Sequence, residues 1–304
     1  ASIIATHIKG QVDISKNEVR APITADINDY KRSAVFLGDV AGDTSLRMVE
    51  NVFTGGSDSC RAIYFDRSAS SVAGTVHVVL KDNFVDSMGQ DASVWTDAKA
   101  LDMALIYISG HASDDRINTF DASGNRYDFT SSLAGSYGMY VRYIKTTCTF
   151  DSVLEFGAVG DGSTNCTMAI NRAGLAAGVG GRIYIPSGTF DVSDFGLAQH
   201  AAITGTEAET NTCIAAVSSG QLWYGEGTIH DSASSSGDEV FKSSGTDPVT
   251  IRGLTFTHEG GTNTGSAITV TGDDSVVDGV TITGFKYGIK VSKPRCRISS
   301  CNIL

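Results

Sequence analysis

The sequence lacks any apolar run close to the roughly 18 residues that a membrane-crossing helix needs. Its first residues, Ala1–Ala5, have neither the basic segment nor the long apolar core of a secretion signal. Basic residues are few, since 23 Lys and Arg stand against 34 Asp and Glu and the net charge is -11. Nucleic-acid-binding proteins normally carry a basic surface. We therefore predict no membrane insertion and no nucleic-acid partner.

Metal-binding and common catalytic motifs are also missing. The 6 cysteines form no C-x-x-C pair, and no histidine lies near them at zinc-ligand spacing. Residues 1–150 contain no G-x-S-x-G, Walker or H-E-x-x-H motif. We predict no metal and no cofactor. We also predict buried, reduced thiols, which suit assembly in a reducing cytoplasm.

The most patterned stretch is residues 153–193, which read VLEFGAVGDGSTNCTMAINRAGLAAGVGGRIYIPSGTFDVS. It opens with Val153–Phe156, a short apolar run before a glycine-rich loop, which predicts a strand. The hydroxyl of Ser163 or Thr164 can accept an unpaired amide and so begin a helix. Apolar residues then recur at helical spacing, and we predict a helix near 164–178.

Beyond the predicted helix, glycines and β-forming residues occur in short blocks. Gly180–Gly181 interrupts the helical pattern. Residues 182–185 and 189–192 predict two strands, separated by a turn at Pro186–Gly188.

This order of features resembles the opening of the pectate-lyase-like right-handed β-helix of many bacteriophage tailspikes. That family typically begins with D-F-G-A-x-G-D-G-x-T-D-D-T, an amphipathic helix and G-G-x-hydrophobic-x-hydrophobic-P-x-G. Residues 156–162 match the first run and residues 180–190 match the last. The chain departs at Glu155, at Asn165–Cys166 where acids are usual, and at Gly174 where an apolar helix-face residue is usual.

After residue 193, short strand-like segments recur. Three of them superimpose at offsets of 26 and 21 residues. They are Ile251–Phe256, Val277–Ile282 and Ile298–Ile303, and a second set is 239–241, 267–270 and 288–291. A repeat of this length indicates a solenoid in which each coil buries its inward residues against the next. The repeat predicts a β-helix independently of the resemblance.

The first half consists mainly of strand-like segments between Gly-, Asp- and Ser-rich turns, with a hairpin-like turn at Gly124–Asn125. Its spacing predicts a sandwich- or barrel-like domain. The predicted fold is all-β with one capping α-helix, in the order 1–30 arm or first strands, 31–145 β-rich domain, 146–152 neck and 153–304 coils of a right-handed parallel β-helix. The chain ends inside a predicted strand, so we expect a truncated β-helix.

Trp223 and Tyr224, close to His230 and Asp231, are the candidate glycan-binding residues, because aromatic rings pack on the apolar faces of sugars. The alternative is that both rings pack the first coils. Acids on neighbouring coils could form a glycan-cleaving pair, but no catalytic residue is assigned. The acids in question are Glu226, Asp231, Asp238, Glu239, Glu259, Asp273, Asp274 and Asp278.

The resemblance implies a homotrimeric tailspike in the virion tail, made in the host bacterial cytoplasm. Its N-terminal region would attach to tail or baseplate proteins or to another tailspike. Its β-helix would recognise a bacterial surface polysaccharide during adsorption, and the full-length protein would depolymerise it as a hydrolase or lyase. Two alternatives remain open: a non-catalytic tail fibre or virion connector, and a cellular polysaccharide lyase or epimerase.

Overall fold

The computed structural model describes most of the chain, and its described residues fall into two compact units, 1–157 (unit 1) and 158–304 (unit 2). The described residues are 3–6, 8–20, 33–38, 40, 43–55, 61–66, 74–88, 104–109, 117–129, 137–142, 148–192, 212–216, 218–232, 239–243, 248–258 and 265–304. Within these ranges no helix has the length and apolar character needed to span a bilayer.

Unit 1 is built from short strands. They are β1 (Ile3–Thr6), β2 (Gly10–Ser15), β3 (Glu18–Arg20), β4 (Ser33–Gly38), β5 (Thr44–Val49), β6 (Val52–Thr54), β7 (Arg61–Asp66), β8 (Val76–Lys81), β9 (Phe84–Met88), β10 (Ala104–Ser109), β11 (Thr119–Ser123), β12 (Arg126–Phe129), β13 (Tyr137–Arg142) and β14 (Thr149–Phe150). A 3-10 helix at Val153–Phe156 follows them.

The described strands of unit 1 form three parallel sheets. Sheet 1 has the order β1-β4-β7-β10-β13, sheet 2 the order β2-β5-β8-β11-β14, and sheet 3 the order β3-β6-β9-β12. Each coil of the chain adds one strand to each sheet in turn, and its strands pair with those of the next coil. Unit 1 is therefore itself a parallel β-helix.

The predicted all-β class, with a parallel β-helix and one α-helix, is confirmed. The sandwich- or barrel-like arrangement expected over 31–145 is corrected, because these strands pair in parallel with strands one coil away. The hairpin expected at Gly124–Asn125 is wrong for the same reason, since β11 and β12 belong to different sheets. The domain limits inferred from the sequence stay predictions.

The corner between sheet 2 and sheet 3 is built alike in the described coils of unit 1. One residue takes a positive φ, between 52° and 68°, and an asparagine follows it. The pairs are Lys16-Asn17, Glu50-Asn51, Asp82-Asn83 and Gly124-Asn125. A left-handed residue lets the chain turn sharply at each corner, and it places the asparagine side chains in register.

These four asparagines form a hydrogen-bonded column, the asparagine ladder. The Asn51 side-chain amide donates to Asn83 Oδ1 at 2.9 Å, and the Asn83 amide donates to Asn125 Oδ1 at 2.9 Å. Each amide also donates to a main-chain carbonyl of the preceding coil, at 2.7 Å for Asn51 and 3.0 Å for Asn83. The side chains of Asn51, Asn83 and Asn125 are buried, so the ladder satisfies polar groups that would otherwise be costly to bury.

Glu155 ends the asparagine ladder. Its Oε2 accepts the Asn125 side-chain amide at 2.8 Å and the Asn125 backbone amide at 3.1 Å, and the residue is 3% exposed. Burial raises the pKa of Glu155 to about 7, against the lowering effect of the Asn125 hydrogen bonds. The strand predicted at Val153–Phe156 is wrong: a 3-10 turn forms there, capped by the Ser152 hydroxyl and a left-handed Gly157.

Unit 2 continues the same architecture and adds the α-helix. Its elements are β15 (Asp161–Asn165), α1 (Thr167–Ala177), β16 (Arg182–Ile185), β17 (Thr189–Val192), β18 (Thr212–Ala216), β19 (Gln221–Gly225), β20 (Thr228–Asp231), β21 (Glu239–Ser243), β22 (Val249–Arg252), β23 (Thr255–His258), β24 (Ser266–Val270), β25 (Val276–Asp278), β26 (Thr281–Thr283), β27 (Tyr287–Val291), β28 (Arg297–Ser299) and β29 (Asn302–Ile303). Its described strands form sheet 4 (β16-β19-β22-β25-β28), sheet 5 (β15-β17-β20-β23-β26-β29) and sheet 6 (β18-β21-β24-β27).

The helix α1 begins three residues later than the hydroxyl pattern predicts. The amides of Ser163 and Thr164 both donate to Asp161 Oδ1 at 2.8 Å, and both residues belong to β15 and not to the first turn of the helix. Cys166 holds the N-cap position without a side-chain cap hydrogen bond, and the helix ends before Gly178 as predicted.

The strand register of unit 2 agrees with the repeat that the sequence predicts. Ile251 pairs with Val277 and Val277 with Ile298, which reproduces the offsets of 26 and 21 residues. Ile251 and Val277 are buried in the interior of unit 2, whereas Ile298, in the last described coil of this row, is 47% exposed.

Replacing Asn83 by Asp should destabilise unit 1 by about 3 kcal/mol, because a carboxylate cannot donate the two buried hydrogen bonds of the amide. Urea denaturation, with hydrogen exchange reporting on β5–β12, measures the loss. Asn17→Asp is the matched control, since Asn17 is exposed at the outer end of the same ladder. Equal effects of the two substitutions would show that the ladder does not stabilise the unit.

Glu155 should make unit 1 less stable as the pH rises. The folded state favours the protonated acid, so this contribution is complete below the ordinary glutamate pKa and is lost as pH rises towards about 7. Between pH 4.5 and pH 8 the wild type should lose about 3 kcal/mol that Glu155→Gln retains, since the glutamine oxygen still accepts from Asn125. Denaturation curves of both proteins across this range test it, and parallel pH profiles would contradict it.

Candidate functional site

Trp223 lies in the interior of unit 2. Its side chain is fully buried in the inner row of sheet 4, between Ile183 and Ile251. The indole Nε1 donates to Gln221 Oε1 at 3.2 Å, and the ring meets Phe241 edge-on with centroids 5.2 Å apart. With no accessible face, Trp223 cannot stack on a sugar, and its prediction as a glycan-binding residue is corrected. The alternative, packing of the first coils, describes it.

The buried indole also accounts for Gly174. A Cβ at this position in α1 would lie 2.8 Å from two carbons of the Trp223 ring. The Gly174 carbonyl in turn accepts the Gln221 side-chain amide at 2.6 Å. The apolar helix residue that the resemblance leads one to expect is thus replaced by an indole supplied from β19.

Tyr224 lies on the opposite face of the same strand, because successive side chains of a strand alternate. The register places it in a row on the outer face of sheet 4, which we call the outer column. The outer column consists of Tyr184, Tyr224, Arg252, Asp278 and Ser299, one residue from each of five consecutive strands. Tyr224 therefore remains a prediction as a glycan contact.

The first two members of the outer column form an aromatic pair. The Tyr184 and Tyr224 ring centroids are 5.3 Å apart at an interplanar angle of 38°. The Arg182 guanidinium lies 5.2 Å from the Tyr224 centroid. The Tyr184 hydroxyl donates to Glu226 Oε2 at 2.7 Å, and this hydrogen bond raises the pKa of Tyr184. The aromatic pair thus contacts a cation through Tyr224 and an anion through Tyr184.

Further along the outer column, charges are paired. Arg252 Nε lies 3.4 Å from Asp278 Oδ2, and the Ser299 hydroxyl donates to Asp278 Oδ1 at 2.8 Å. The predicted outward position of Asp278 agrees with this register. Its carboxylate thus contacts one cation and one hydroxyl.

Asp231 and His230, the two other residues of the predicted cluster, lie on opposite faces of β20. Asp231 is fully buried, and its Oδ2 lies 3.0 Å from Nδ1 of His258, whose side chain is also almost fully buried. The neighbouring His230 faces the other way, with Nδ1 2.9 Å from Thr257 Oγ1. Alternation along β20 therefore separates Asp231 from His230. The outward His230 belongs to sheet 5, whereas Tyr224 belongs to sheet 4.

The remaining candidate acids contact cations. Glu239 Oε2 lies 3.2 Å from Lys242 Nζ, and its Oε1 accepts the Thr269 hydroxyl. Asp274 sits at a corner, where the hydrogen bond from Arg295 lowers the pKa of its carboxyl. Asp238 and Glu259 lie outside the described residues. These contacts identify no general acid among the described acids of unit 2.

A raised carboxyl pKa is typical of a general acid, and Glu155 has one. Its burial at the end of the asparagine ladder gives it a structural role instead, because a catalytic acid must reach its substrate. Two buried cysteines, Cys148 and Cys166, are also unsuited to nucleophilic chemistry. Burial raises the pKa of Cys166 to about 12, and that of Cys148 well above its ordinary value.

Sequence reasoning missed two residues of this surface, Arg182 and Tyr184, and it named Glu226 only as one of several candidate acids. The signal was present, since β16 and β19 are neighbouring strands of sheet 4, and in each of them the tyrosine follows a buried apolar residue, Ile183 or Trp223. Aligning the two strands by their apolar positions places Tyr184 beside Tyr224.

Residues 150–223 match the family model described as rhamnogalacturonase A/epimerase, pectate lyase-like. The matched segment contains α1 and β16, with Tyr184, and it ends within β19 at Trp223, one residue before Tyr224. No curated protein matches the chain, and no solved structure does. Over residues 150–223 the chain is therefore similar to this pectate-lyase-like family, and its parallel sheets are consistent with that similarity.

Replacing Gly174 by Ala should lower the stability of unit 2 by about 2 kcal/mol, because the new methyl group overpacks the buried indole. Helix propensity alone would give the opposite sign, a gain of about 1 kcal/mol. Thermal unfolding measures the change. In a Trp223→Phe background the same substitution should cost less, and an unchanged or higher melting temperature for Gly174→Ala alone would contradict the account.

Proposed function

We propose that this chain is part of a bacteriophage tailspike that recognises a bacterial surface polysaccharide through the outer face of sheet 4. The observation that carries the proposal is the half-exposed pair Tyr184 and Tyr224, on a parallel β-helix similar to the pectate-lyase-like family. Aromatic side chains offer apolar area at little entropic cost, and they commonly line ligand sites.

The outer column suits a long, repeating ligand. Neighbouring strands in a sheet are about 4.8 Å apart, so its side chains project at a regular, short spacing. Tyrosine rings can contact the apolar faces of sugars. Arg182 can donate hydrogen bonds to sugar hydroxyls, and Glu226 can accept hydrogen bonds from them. A polymer crossing several strands would gain affinity from each of them, although no single contact is strong.

Within this proposal, unit 1 attaches the spike to a tail or baseplate protein or to another tailspike, and three copies form the spike in the virion tail. The support is the resemblance of residues 153–193 to the start of a tailspike β-helix, which assigns attachment to the part that precedes it. The asparagine ladder supports this role, since hydrogen-bonded, buried polar columns rigidify a structure.

Recognition without cleavage is the second candidate for this chain. It is favoured by the contacts of Glu226 and Asp278, whose carboxylates accept from Tyr184 and pair with Arg252. A glycan-cleaving pair would need one carboxyl kept protonated and a second one facing it across the sugar bond. We assign depolymerisation, as hydrolase or lyase, to the full-length spike and binding to the surface described here.

Tyr224→Ala should lower polysaccharide affinity about tenfold, because it removes the ring and the support that ring gives to Tyr184 and Arg182. Binding of the chain to surface polysaccharides from a panel of bacteria, measured by calorimetry or on a glycan array, provides the test. Tyr287→Ala is the matched control, since Tyr287 is 45% exposed on sheet 6 and its loss should leave affinity unchanged.

The same panel separates the candidates. New reducing ends or unsaturated products from the full-length protein would establish cleavage, and binding without products would favour the non-catalytic fibre. Absence of binding to every polysaccharide, or equal losses from the Tyr224 and Tyr287 substitutions, would contradict the proposed site.

A further inference from the structure

We propose that the outer face of sheet 4 takes an acidic polysaccharide, whose carboxylates pair with three arginines, Arg182, Arg252 and Arg297. The inference rests on the proposed function, because it names the class of polymer which that surface takes. It is carried by the register of sheet 4, which places the three arginines on alternate strands of one outward face.

Sheet 4 presents two outward rows, the outer column and a second one beside it. Ile183, Trp223 and Ile251, which lie between the two rows, are fully buried, so alternation turns their neighbours on both sides outwards. We call the other row the second outer column. It consists of Arg182, Leu222, Thr250, Val276 and Arg297, one residue from each of five neighbouring strands.

The outward charges of this face are mainly positive. Arg182 lies on the first strand of sheet 4, Arg252 on the third and Arg297 on the fifth. Against them stands a single acid among the outward residues of these five strands, Asp278. The chain as a whole has the opposite balance, with a net charge of -11. An excess of cations on one face of an acidic protein directs an anionic polymer to that face.

The three guanidinium groups have donors to spare. Within the described part of the chain, Arg182 and Arg297 form no ion pair, and the Arg182 guanidinium lies 5.2 Å from the Tyr224 ring centroid. Arg252 contacts Asp278 through Nε, at 3.4 Å from Oδ2. A guanidinium binds a carboxylate through two parallel hydrogen bonds, so each of the three arginines can take one acidic group of a ligand.

The acids at the two adjoining corners already have partners. Glu226 follows β19, and its Oε2 accepts the Tyr184 hydroxyl at 2.7 Å. Asp273 and Asp274 precede β25, and both contact Arg295. Because these carboxylates are engaged within the protein, they do not compete with a ligand for the three arginines of the face.

The spacing of the arginines suits a polymer with regularly placed carboxylates. Neighbouring strands are about 4.8 Å apart, so arginines on alternate strands are roughly 10 Å apart along the solenoid. Between them lie the Tyr224 ring and the half-exposed Leu222 and Val276, which offer apolar surface to sugar rings. A guanidinium has several N–H donors, so Arg182 can bind a carboxylate and still donate to a neighbouring sugar hydroxyl.

The test uses the full chain and acidic surface polysaccharides from a panel of bacteria, each beside the same polymer after chemical reduction of its carboxyl groups. Neutral polymers complete the panel, and calorimetry measures the affinities. The wild type should bind the acidic polymers about tenfold more tightly than their reduced forms. Added salt should shrink this preference, because it screens exposed charges.

Arg297→Gln removes one cation three strands away from Tyr224. It should lower affinity for the acidic polymers about fivefold and leave affinity for the reduced forms unchanged. Arg182→Gln in the same chain should lower affinity for the acidic polymers further. Arg20→Gln is the matched control, since it makes the same change at an exposed arginine of unit 1 and should leave the preference intact.

Two results would overturn the inference and leave polysaccharide recognition standing. The first is binding of the acidic polymers that is no tighter than binding of their reduced forms. The second is a loss in Arg20→Gln as large as that in Arg297→Gln, which would show that only the net charge of the chain matters. If no polymer of the panel binds, neutral ones included, the proposed function fails and the inference fails with it.

Discussion

In-register stacking of parallel coils is the constraint on which the rest of this structure depends. Because each strand pairs with the strand one coil away, every side chain lies against its counterpart in the next coil. Apolar residues therefore become continuous inner rows, the corner asparagines become a hydrogen-bonded ladder, and the outward tyrosines become an exposed pair. Each of these features is a column of side chains from successive coils. Its stability and its chemistry depend on contacts between neighbouring members of the column.

The same constraint separates structure from function at adjacent positions. Trp223 and Tyr224 are neighbours in the chain, yet one is fully buried beside Phe241 and the other faces outwards beside Tyr184. Alternation along a strand decides which residue contributes free energy of folding and which can meet a ligand. The inner row also restricts the sequence of α1, since only a glycine at position 174 leaves room for the Trp223 indole.

The sequence predicted unit 2 better than unit 1 for a physical reason. Apolar rows such as Ile251, Val277 and Ile298 repeat at short, similar intervals, so their stacking is visible in the residue pattern. In unit 1 apolar rows such as Leu46, Val78 and Phe120 recur at longer and unequal intervals of 32 and 42 residues, and Gly124–Asn125 has the same composition as a hairpin turn. The outer surface was predicted in part. Tyr224 and Glu226 were both named from the sequence, but the contact between Glu226 and Tyr184 is a hydrogen bond that spans 42 positions of sequence.

The central proposal is that a polysaccharide binds to the outer column of sheet 4. The most direct measurement is a crystal structure of the chain with an oligosaccharide prepared from a polymer that it binds. The account predicts a sugar ring against Tyr224, with hydroxyls within hydrogen-bonding distance of Arg182 and Glu226. A sugar bound on sheet 5 or sheet 6, with the tyrosine pair unoccupied, would contradict it.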